Sequence, residues 1–220
     1  MNAASDKFKG FPKETPDFLF NLKFCNTTSK EKENLTKYKI LVTEPLKQLY
    51  DELLPTVLDI DPRFETKPNR CISTPYTDRR FSPSVPLKEY MYIRYKYADL
   101  LDNIPGLYFD MGCDYYSYGL RIYKQNIKGM DKIREKILMA PEYFSYALDK
   151  LSEKGFFVIG DLYKKDKLPN IPYFPAKSLY NRKSFYVGKD VKINDNIFSE
   201  ALAEEIKANF LALTSIIRII

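Results

Sequence analysis

The sequence predicts an α+β protein in which an antiparallel β-sheet packs against N-terminal and C-terminal helices. Apolar residues recur at helical spacing in residues 15–55, whereas apolar and polar residues alternate between 90 and 123. Helical spacing returns in residues 130–155 and 197–216. Strands grouped between runs of helices are typical of α+β proteins, and the short connections between these strands favour a central meander.

One domain, residues 1–220, accommodates all of these elements, because a chain of 220 residues fits a single domain of generous size. Along the chain it has a helical part (15–55), a β-rich part (70–123), a second helical part (130–155), an irregular part with one strand (156–188) and a C-terminal helix (197–216). A hydrophobic content of 45% and a charged content of 29% are ordinary for a folded soluble protein.

The first helix is expected over Thr15–Phe24, with Thr15 as its N-cap and a proline in its first turn. A second helix fits residues 30–54, where Pro45 should kink or restart the helix and Pro55 should end it. Both prolines are interpreted as interruptions because proline lacks a backbone N–H and its ring clashes with the preceding helical turn.

Three strands are expected at residues 90–97, 106–112 and 115–123. The alternation assigns one set of residues to a buried face: Met91, Ile93, Tyr95, Tyr97, Leu107, Phe109, Met111, Tyr116, Tyr118, Leu120 and Ile122. It assigns a second set to the opposite face: Tyr90, Tyr92, Arg94, Lys96, Tyr115, Ser117, Gly119, Arg121 and Tyr123. A face rich in Tyr and Arg suits an anion or a sugar, since each tyrosine combines an apolar ring with a polar tip.

Helices follow these strands. Residues 130–138 have helical spacing, and a further helix should begin at Pro141 and end at Gly155. Residues 160–180 contain several prolines and are expected to be irregular, whereas residues 182–188 resemble a late strand.

The absence of histidine removes the commonest general base and the commonest transition-metal ligand. The three cysteines lack the spacing of zinc ligands. The sequence therefore predicts no metal site and no cofactor, and it leaves open whether the protein is an enzyme.

The cysteines also indicate a compartment. Cys25, Cys71 and Cys113 are widely spaced, which favours reduced thiols in the cytoplasm over a disulfide framework. No apolar run is long enough to cross a membrane, and the N-terminus lacks the apolar core of a secretory signal. We therefore expect a cytoplasmic protein with no membrane segment.

The charge balance is modestly basic, with a formal net charge of +6 and an isoelectric point near 8.9. Such a balance mildly favours anionic partners. The lysines are spread along the chain and not clustered, which does not favour a nucleic acid as the partner.

The stretch 71–90, CISTPYTDRRFSPSVPLKEY, is the strongest candidate for a site. Arg80 can present a fork of donors to a phosphate or carboxylate, and Lys88 can add a second positive charge. Asp78 can hold a guanidinium group in place, and Ser82 can donate a further hydrogen bond.

The polar face of the sheet extends this candidate. Arg94 and Arg121 are expected to join the loop residues, with Tyr90, Tyr92 and Tyr123 as walls. Together these groups suit a small anionic ligand.

A structural interpretation of the same loop is also open. Asp78 and Arg80 can form an ion pair that closes the loop, with Phe81 as its buried anchor. Asp110 and Asp114 flank Gly112 in the segment DMGCD, which we interpret as a β-turn in preference to a metal or acid–base pair.

Several short motifs resemble those of the family named domain of unknown function 2461. They are FKGF at Phe8–Phe11, EPL at Glu44–Leu46, TDRRFS at Thr77–Ser82, PLK at Pro86–Lys88 and KSF at Lys183–Phe185. The resemblance extends from about residue 8 to about residue 215, and it adds Lys183 to the candidate site residues. It implies a fold but no reaction.

The chain departs from the family pattern within the central motif. Thr77 and Arg79 stand where the family usually has Arg and Thr, and Leu87 stands where it usually has Tyr. The chain is therefore identified as a divergent member of the family.

A binding module for a small anionic ligand is the favoured function. The alternatives are a structural or protein-interaction role without a ligand, and a carboxylate-based enzyme acting on a phosphorylated or sugar substrate, with Asp78 as base and Arg80 stabilising charge. A nucleic-acid binder that uses stacking tyrosines ranks last. The oligomeric state is left undetermined.

Overall fold

The computed structural model of the protein describes residues 7–97, 104–122, 126–167, 172 and 174–220. In these residues, helices and an antiparallel sheet pack around a hydrophobic cluster, which confirms the α+β class. The helices are α1 (Thr15–Cys25), α2 (Glu31–Tyr38), α3 (Glu44–Ile60), α4 (Pro68–Cys71), α5 (Ile127–Met139), α6 (Pro141–Glu153), α7 (Phe174–Tyr180), α8 (Ala201–Ala212) and α9 (Thr214–Ile217). The strands are β1 (Met91–Tyr95), β2 (Gly106–Met111), β3 (Tyr115–Arg121), β4 (Phe157–Val158) and β5 (Tyr186–Lys192).

The strands form one sheet in the order β1-β2-β3-β5-β4, and every neighbouring pair is antiparallel. The first three strands are the predicted meander. The short strand β4 was not predicted, and the late strand begins at Tyr186, four residues after the predicted 182. The residues before it bend around Arg134, whose guanidinium group donates to the carbonyls of Tyr180 and Arg182 at 3.1 and 2.7 Å.

The outer edge of β1 is covered by the segment that precedes it in the chain. The Ser73 N–H donates to the Tyr92 carbonyl at 2.9 Å, and the Tyr92 N–H donates to Ser73 Oγ at 3.1 Å. Farther along, the Glu65 N–H donates to the Lys96 carbonyl at 2.7 Å. Backbone groups of this edge are therefore hydrogen-bonded on the side away from β2.

The expectation that Thr15 caps α1 is wrong. Thr15 is the first residue of the helix, after the N-cap Glu14; it is fully buried and donates from its hydroxyl to the Leu41 carbonyl at 2.8 Å. Pro45, four residues after Leu41, has no N–H to offer that carbonyl, so the hydroxyl replaces the missing helical bond. The helix continues through Pro45 by widening to a π-helical turn at Lys39–Thr43.

The expectation that Pro55 ends the second helix is also wrong, because α3 continues to Ile60. Pro55 and Asp51 are both exposed. Water can therefore satisfy the Asp51 carbonyl that loses its helical donor, and the apolar side of α3 remains continuous.

Helices α3 and α8 cover one face of the sheet. Tyr95 donates from its hydroxyl to the Tyr50 carbonyl of α3 at 2.9 Å. Tyr116 and Tyr118 both donate to the carboxylate of Glu205 on α8. All the residues predicted for the buried face are buried, but Ser117 and Gly119 of the opposite face are buried too. The exposed polar groups of the sheet lie on that opposite face.

Two predictions for the C-terminal third are corrected. Residues 160–180 are not wholly irregular, because α7 begins at Phe174. The single helix expected at 197–216 is divided into a 3-10 turn at Asp195–Phe198 followed by α8 and α9. Asn194 accepts from the Asn196 N–H and starts the 3-10 turn separately.

No helix in the described part of the chain combines the length and the apolar character that crossing a bilayer requires.

Candidate functional site

A cleft of about 310 Å³ lies on the sheet face opposite α3 and α8. It is lined by Tyr90, Arg94, Asp110, Met111, Tyr115 and Arg121, which belong to the first three strands or adjoin them. The register sets Asp110 opposite both Tyr92 and Ser117, so groups far apart in sequence share one surface. Two of the predicted site residues, Arg94 and Arg121, are therefore brought together.

An ion pair forms one side of this cleft. Arg121 Nη2 lies 2.9 Å from Asp110 Oδ2 and 3.3 Å from Oδ1, and the two side chains are only 18% and 23% exposed. The Arg121 guanidinium carbon lies 4.2 Å from the centre of the Tyr108 ring, in a cation–π contact. The Arg121 guanidinium group is thus held by the Asp110 carboxylate and by the Tyr108 ring.

Burial dominates the acidity of Asp110. It raises the pKa of this carboxyl group above its ordinary value, and the positive charges of Arg121 and Arg94 only partly oppose the rise. Asp190 on β5 adds a smaller repulsive contribution in the same direction. The cleft therefore contains a carboxyl group that binds a proton more readily than one in water.

Arg94 and Lys88 form a second positive region around the Tyr92 ring. The Arg94 guanidinium carbon lies 3.5 Å from the ring centre, and Lys88 Nζ lies 5.5 Å from it. Lys88 Nζ also donates to the Thr74 carbonyl at 2.8 Å. Burial and the charge of Arg94 lower the pKa of Lys88, which indicates that the two cations are close enough to repel each other.

A hydroxyl network lies beside the ion pair. Tyr108 donates to the Tyr186 hydroxyl at 2.6 Å, and Ser117 Oγ lies 3.0 Å from the Tyr108 hydroxyl and 3.1 Å from that of Tyr186. Gly119 and Gly188 face each other across β3 and β5 beneath this network. A Cβ at Gly188 would collide with the Tyr108 hydroxyl, so the absence of side chains here makes room for the ring.

Loop 71–90, in contrast, holds its predicted residues at the surface. Arg80 donates to Asp78 from its backbone N–H, from Nε at 2.9 Å and from Nη2 at 2.6 Å. The side chains are 82% and 43% exposed, and the hydrogen bonds from Arg80 lower the pKa of Asp78. This ion pair closes the turn that carries the two residues.

The interpretation of Phe81 as a buried anchor of this loop is wrong, because Phe81 is 82% exposed. Leu87 is the anchor and is 1% exposed. Asn26 fixes it from both sides, donating to the Leu87 carbonyl at 2.6 Å and accepting from its N–H at 3.2 Å. Arg79 adds an ion pair with Glu31 of α2.

The remaining candidates lie elsewhere. The Ser82 N–H donates to the Asp78 carbonyl within the turn, and the Lys183 N–H donates to the Asp161 carbonyl near the base of β5. Neither residue is among those that line the cleft, nor are Asp78 and Arg80. Tyr123, predicted as a wall of the site, lies outside the described residues.

Sequence reasoning missed Asp110, Tyr108 and Tyr186. The chain does reverse direction after β2, where residues 113–114 form a bend and the Gly112 N–H donates to the Tyr115 carbonyl at 3.0 Å. Asp110, however, lies in β2 before that turn and faces the cleft. The alternation of residues in this strand could have revealed two of them. If Leu107, Phe109 and Met111 point inward, Tyr108 and Asp110 must share the opposite face.

These features define an α+β protein with helices on one face of its sheet and an Arg- and Tyr-lined cleft on the other. The chain belongs to the conserved hypothetical protein family DUF2461, whose members' shared pattern matches residues 14–218. This confirms the family assignment made from the short motifs. No curated protein matches the chain.

Proposed function

We propose that the protein binds a small ligand carrying a phosphate or carboxylate group in the cleft that contains Arg94, Asp110 and Arg121. One observation carries the proposal: two guanidinium groups, a largely buried carboxylate and exposed tyrosines line the same concavity. Its volume of about 310 Å³ lies at the lower end of the range typical of small-molecule sites.

The charges of the cleft favour an anion. Arg121 and Arg94 both attract the Asp110 carboxylate, and Arg94 also packs on Tyr92 with Lys88 nearby. Two cations, Arg94 and Lys88, therefore contact the Tyr92 ring, and guanidinium groups bind phosphate and carboxylate through paired hydrogen bonds. We expect the anionic group of the ligand to bind at Arg94.

Asp110 would contact a different part of the ligand. A carboxylate accepts hydrogen bonds, and a carboxylate with a raised pKa can also donate one when protonated. Tyr90 and Tyr115, each about half exposed, can contact an apolar surface or donate from their hydroxyls. A ligand with hydroxyl groups beside its anion, such as a sugar phosphate, matches this combination.

The proposal moves the expected binding residue from Arg80 to Arg94, and this difference gives the test. Thermal shift and calorimetric titration would compare the wild type, Arg94→Gln and Arg80→Gln. The ligands would be inorganic phosphate, sugar phosphates, nucleoside monophosphates and short dicarboxylates. A ligand at about 100 times its dissociation constant stabilises a protein by about 2.7 kcal/mol, which is readily measured.

We expect one ligand class to stabilise the wild type and Arg80→Gln alike and to leave Arg94→Gln unchanged. If Arg80→Gln loses the effect while Arg94→Gln keeps it, the site is the loop and not the cleft. If no class stabilises the wild type, a structural or protein-interaction role is favoured. Repeating the titration at high salt separates specific binding from general attraction to a basic surface.

A second candidate function is carboxylate-based catalysis. Asp110 is a better candidate than Asp78 for the catalytic carboxyl group. An enzyme of this kind needs a carboxyl group with a raised pKa in a cleft, and Asp110 has that property whereas the pKa of Asp78 is lowered. Asp110→Asn keeps the shape of the side chain and removes its proton-transfer role. Loss of turnover with retained ligand binding would support catalysis, and turnover at the wild-type rate would exclude Asp110 as the acid or base.

A cytoplasmic location belongs to the same proposal. Cys25, Cys71 and Cys113 are all free thiols, one of them exposed. Free thiols persist in the reducing cytoplasm, where phosphorylated and carboxylated metabolites are abundant. Localisation of a tagged chain, with thiol labelling in intact cells, would test it.

A further inference from the structure

A second cavity, of about 320 Å³, lies beside β4 and β5, at the edge of the sheet opposite β1. It is enclosed by the C-terminal half of α6, the paired strands β4 and β5, and one side of α7. None of its lining residues belongs to the cleft around Arg94. It therefore offers a separate place for a ligand.

The floor of this cavity is apolar and firmly packed. Leu148, Leu151, Phe156 and Val187 line it, and each is at most 4% exposed. Because these side chains belong to the core, the floor is preformed. An apolar chain placed on it would be removed from water at little conformational cost.

Arg182 supplies a positive charge in the same cavity. Its Nη1 donates to the Gly160 carbonyl, while its Nε is buried and makes no hydrogen bond to the described residues. Arg121 and Arg134, by comparison, each pair with an aspartate. Burial lowers the pKa of Arg182, and no carboxylate in the described part of the chain contributes to that shift.

Ser152 and Ser178 add hydroxyl groups to the lining, and Asp149 adds a carboxylate. Asp149 and Ser152 are exposed, whereas Ser178 is half-buried. The polar groups are therefore few and the apolar surface is continuous, as is usual in pockets that bind amphipathic small molecules.

We propose that this cavity binds a monocarboxylate with an apolar chain, whose carboxylate accepts from Arg182 and whose chain lies on Leu148, Leu151, Phe156 and Val187. Because Nε is fully buried, the carboxylate would accept from the part of the Arg182 side chain that lines the cavity, through a charge-assisted hydrogen bond. The same guanidinium group cannot favour an apolar alcohol or amine to this extent. The positive charge of Arg182 thus favours a carboxylate, and the apolar floor of the cavity favours a ligand with an apolar chain.

Asp149 allows a second test, in which the expected change in carboxylate affinity has the opposite sign. Its negative charge at the exposed side of the cavity repels an anionic ligand, so Asp149→Asn should strengthen carboxylate binding. An alcohol with the same chain should not respond to that substitution. A site that selects only for apolar surface would show neither effect.

The experiment is calorimetric titration of the full chain with octanoate, and with octanol as the uncharged control. We expect saturable octanoate binding and octanol binding at least about tenfold weaker, or about 1.4 kcal/mol. Arg182→Gln should weaken octanoate about tenfold, Asp149→Asn should tighten it, and Arg94→Gln should leave it unchanged. Ser178→Leu, which places a larger apolar side chain in the cavity, should abolish binding.

The proposal is overturned if octanoate shows saturable binding to neither the wild type nor Asp149→Asn, or if octanol binds as tightly as octanoate. Loss of octanoate binding in Arg94→Gln would also overturn it, since the carboxylate would then occupy the other cleft. If Arg182→Gln does not fold, Ser178→Leu and Asp149→Asn decide, because neither removes a group that takes part in the hydrogen bond between Arg182 and Gly160.

Discussion

Two aspartate–arginine pairs in this protein have similar separations between their charged groups and opposite shifts in the pKa of the aspartate. Asp78 and Arg80 lie 2.6 Å apart in a surface turn, and Asp110 and Arg121 lie 2.9 Å apart in a cleft of the sheet. The first arginine is 82% exposed and the second 18%. The pKa of Asp78 is lowered, whereas that of Asp110 is raised.

The contrast shows that burial, and not the presence of a partner, determines the properties of each pair. Water solvates both members of the surface pair, so hydrogen bonding is the main effect on Asp78. The cleft removes water from Asp110, and this penalty exceeds the attraction of Arg121 and Arg94. Only the second pair has the character expected of a functional group.

The largest expected effect is on folding stability. Arg121→Gln leaves Asp110 in the cleft without its main partner, so we expect the free energy of unfolding to fall by about 3 kcal/mol. Urea denaturation would measure it. The double variant Arg121→Gln, Asp110→Asn should recover much of the loss, because the uncompensated charge is gone. A double variant as unstable as the single one would mean that Arg121 acts through packing on Tyr108.

The next effect concerns the hydroxyl network. Tyr108→Phe removes a hydroxyl that lies within hydrogen-bonding distance of Ser117 and Tyr186. Those two groups remain 3.1 Å apart and can bond each other, so we expect a loss of about 1 kcal/mol. Tyr76→Phe, in the loop, is the matched control and should leave the denaturation midpoint unchanged. Equal effects would show that the network does not stabilise the fold.

The pH dependence should differ in sign between the two carboxyl groups. An aspartate in the unfolded chain titrates near about pH 3.9. Above that value, and up to its own raised pKa, folded Asp110 holds a proton that the unfolded chain has released, so its contribution to stability falls as pH rises. Asp78 contributes stability above about pH 3.9 that is lost as pH falls through its lowered pKa.

Carboxyl chemical shifts followed by NMR across an acid titration would measure both values directly. Asp110→Asn and Asp78→Asn identify the two resonances. If the two carboxyl groups titrate together, or in reverse order, the cleft is more open to water than its geometry indicates.

The smallest effect is expected in the loop. Arg80→Gln removes an ion pair that is exposed to solvent, and the turn keeps its backbone bonds from Phe81 and Ser82 to the Asp78 carbonyl. We expect no measurable change in the denaturation midpoint or in ligand binding. A clear loss of binding in this variant would return the functional site to the loop.

Much of the fold follows from local patterns in the sequence. The alternation in β1, β2 and β3 separates the two faces of the sheet without knowledge of strand order. The effect of the helical prolines was harder to predict, because it depends on groups that are distant in the sequence. Pro45 is accepted in a helix since Thr15 supplies a hydroxyl to the Leu41 carbonyl, and no local pattern reveals that contact.

The site could be predicted only in part, for a related reason. Arg94 and Arg121 were identified because they stand out in strands of alternating character. Asp110 was assigned to a turn because glycine and aspartate follow it, although its register opposite Ser117 places it in the cleft. Charge and motif also drew attention to Arg80, whose exposure follows from the path of the loop and not from its residue type.

The covered outer edge of β1 affects how this protein behaves at high concentration. An exposed sheet edge is a template on which another chain can add a strand, and it promotes aggregation. Here Ser73 and Glu65 already occupy hydrogen-bonding positions along β1, and the opposite edge strand, β4, is only two residues long. The covered edge of β1 therefore offers few open backbone groups to another copy, so strand addition at that edge is disfavoured.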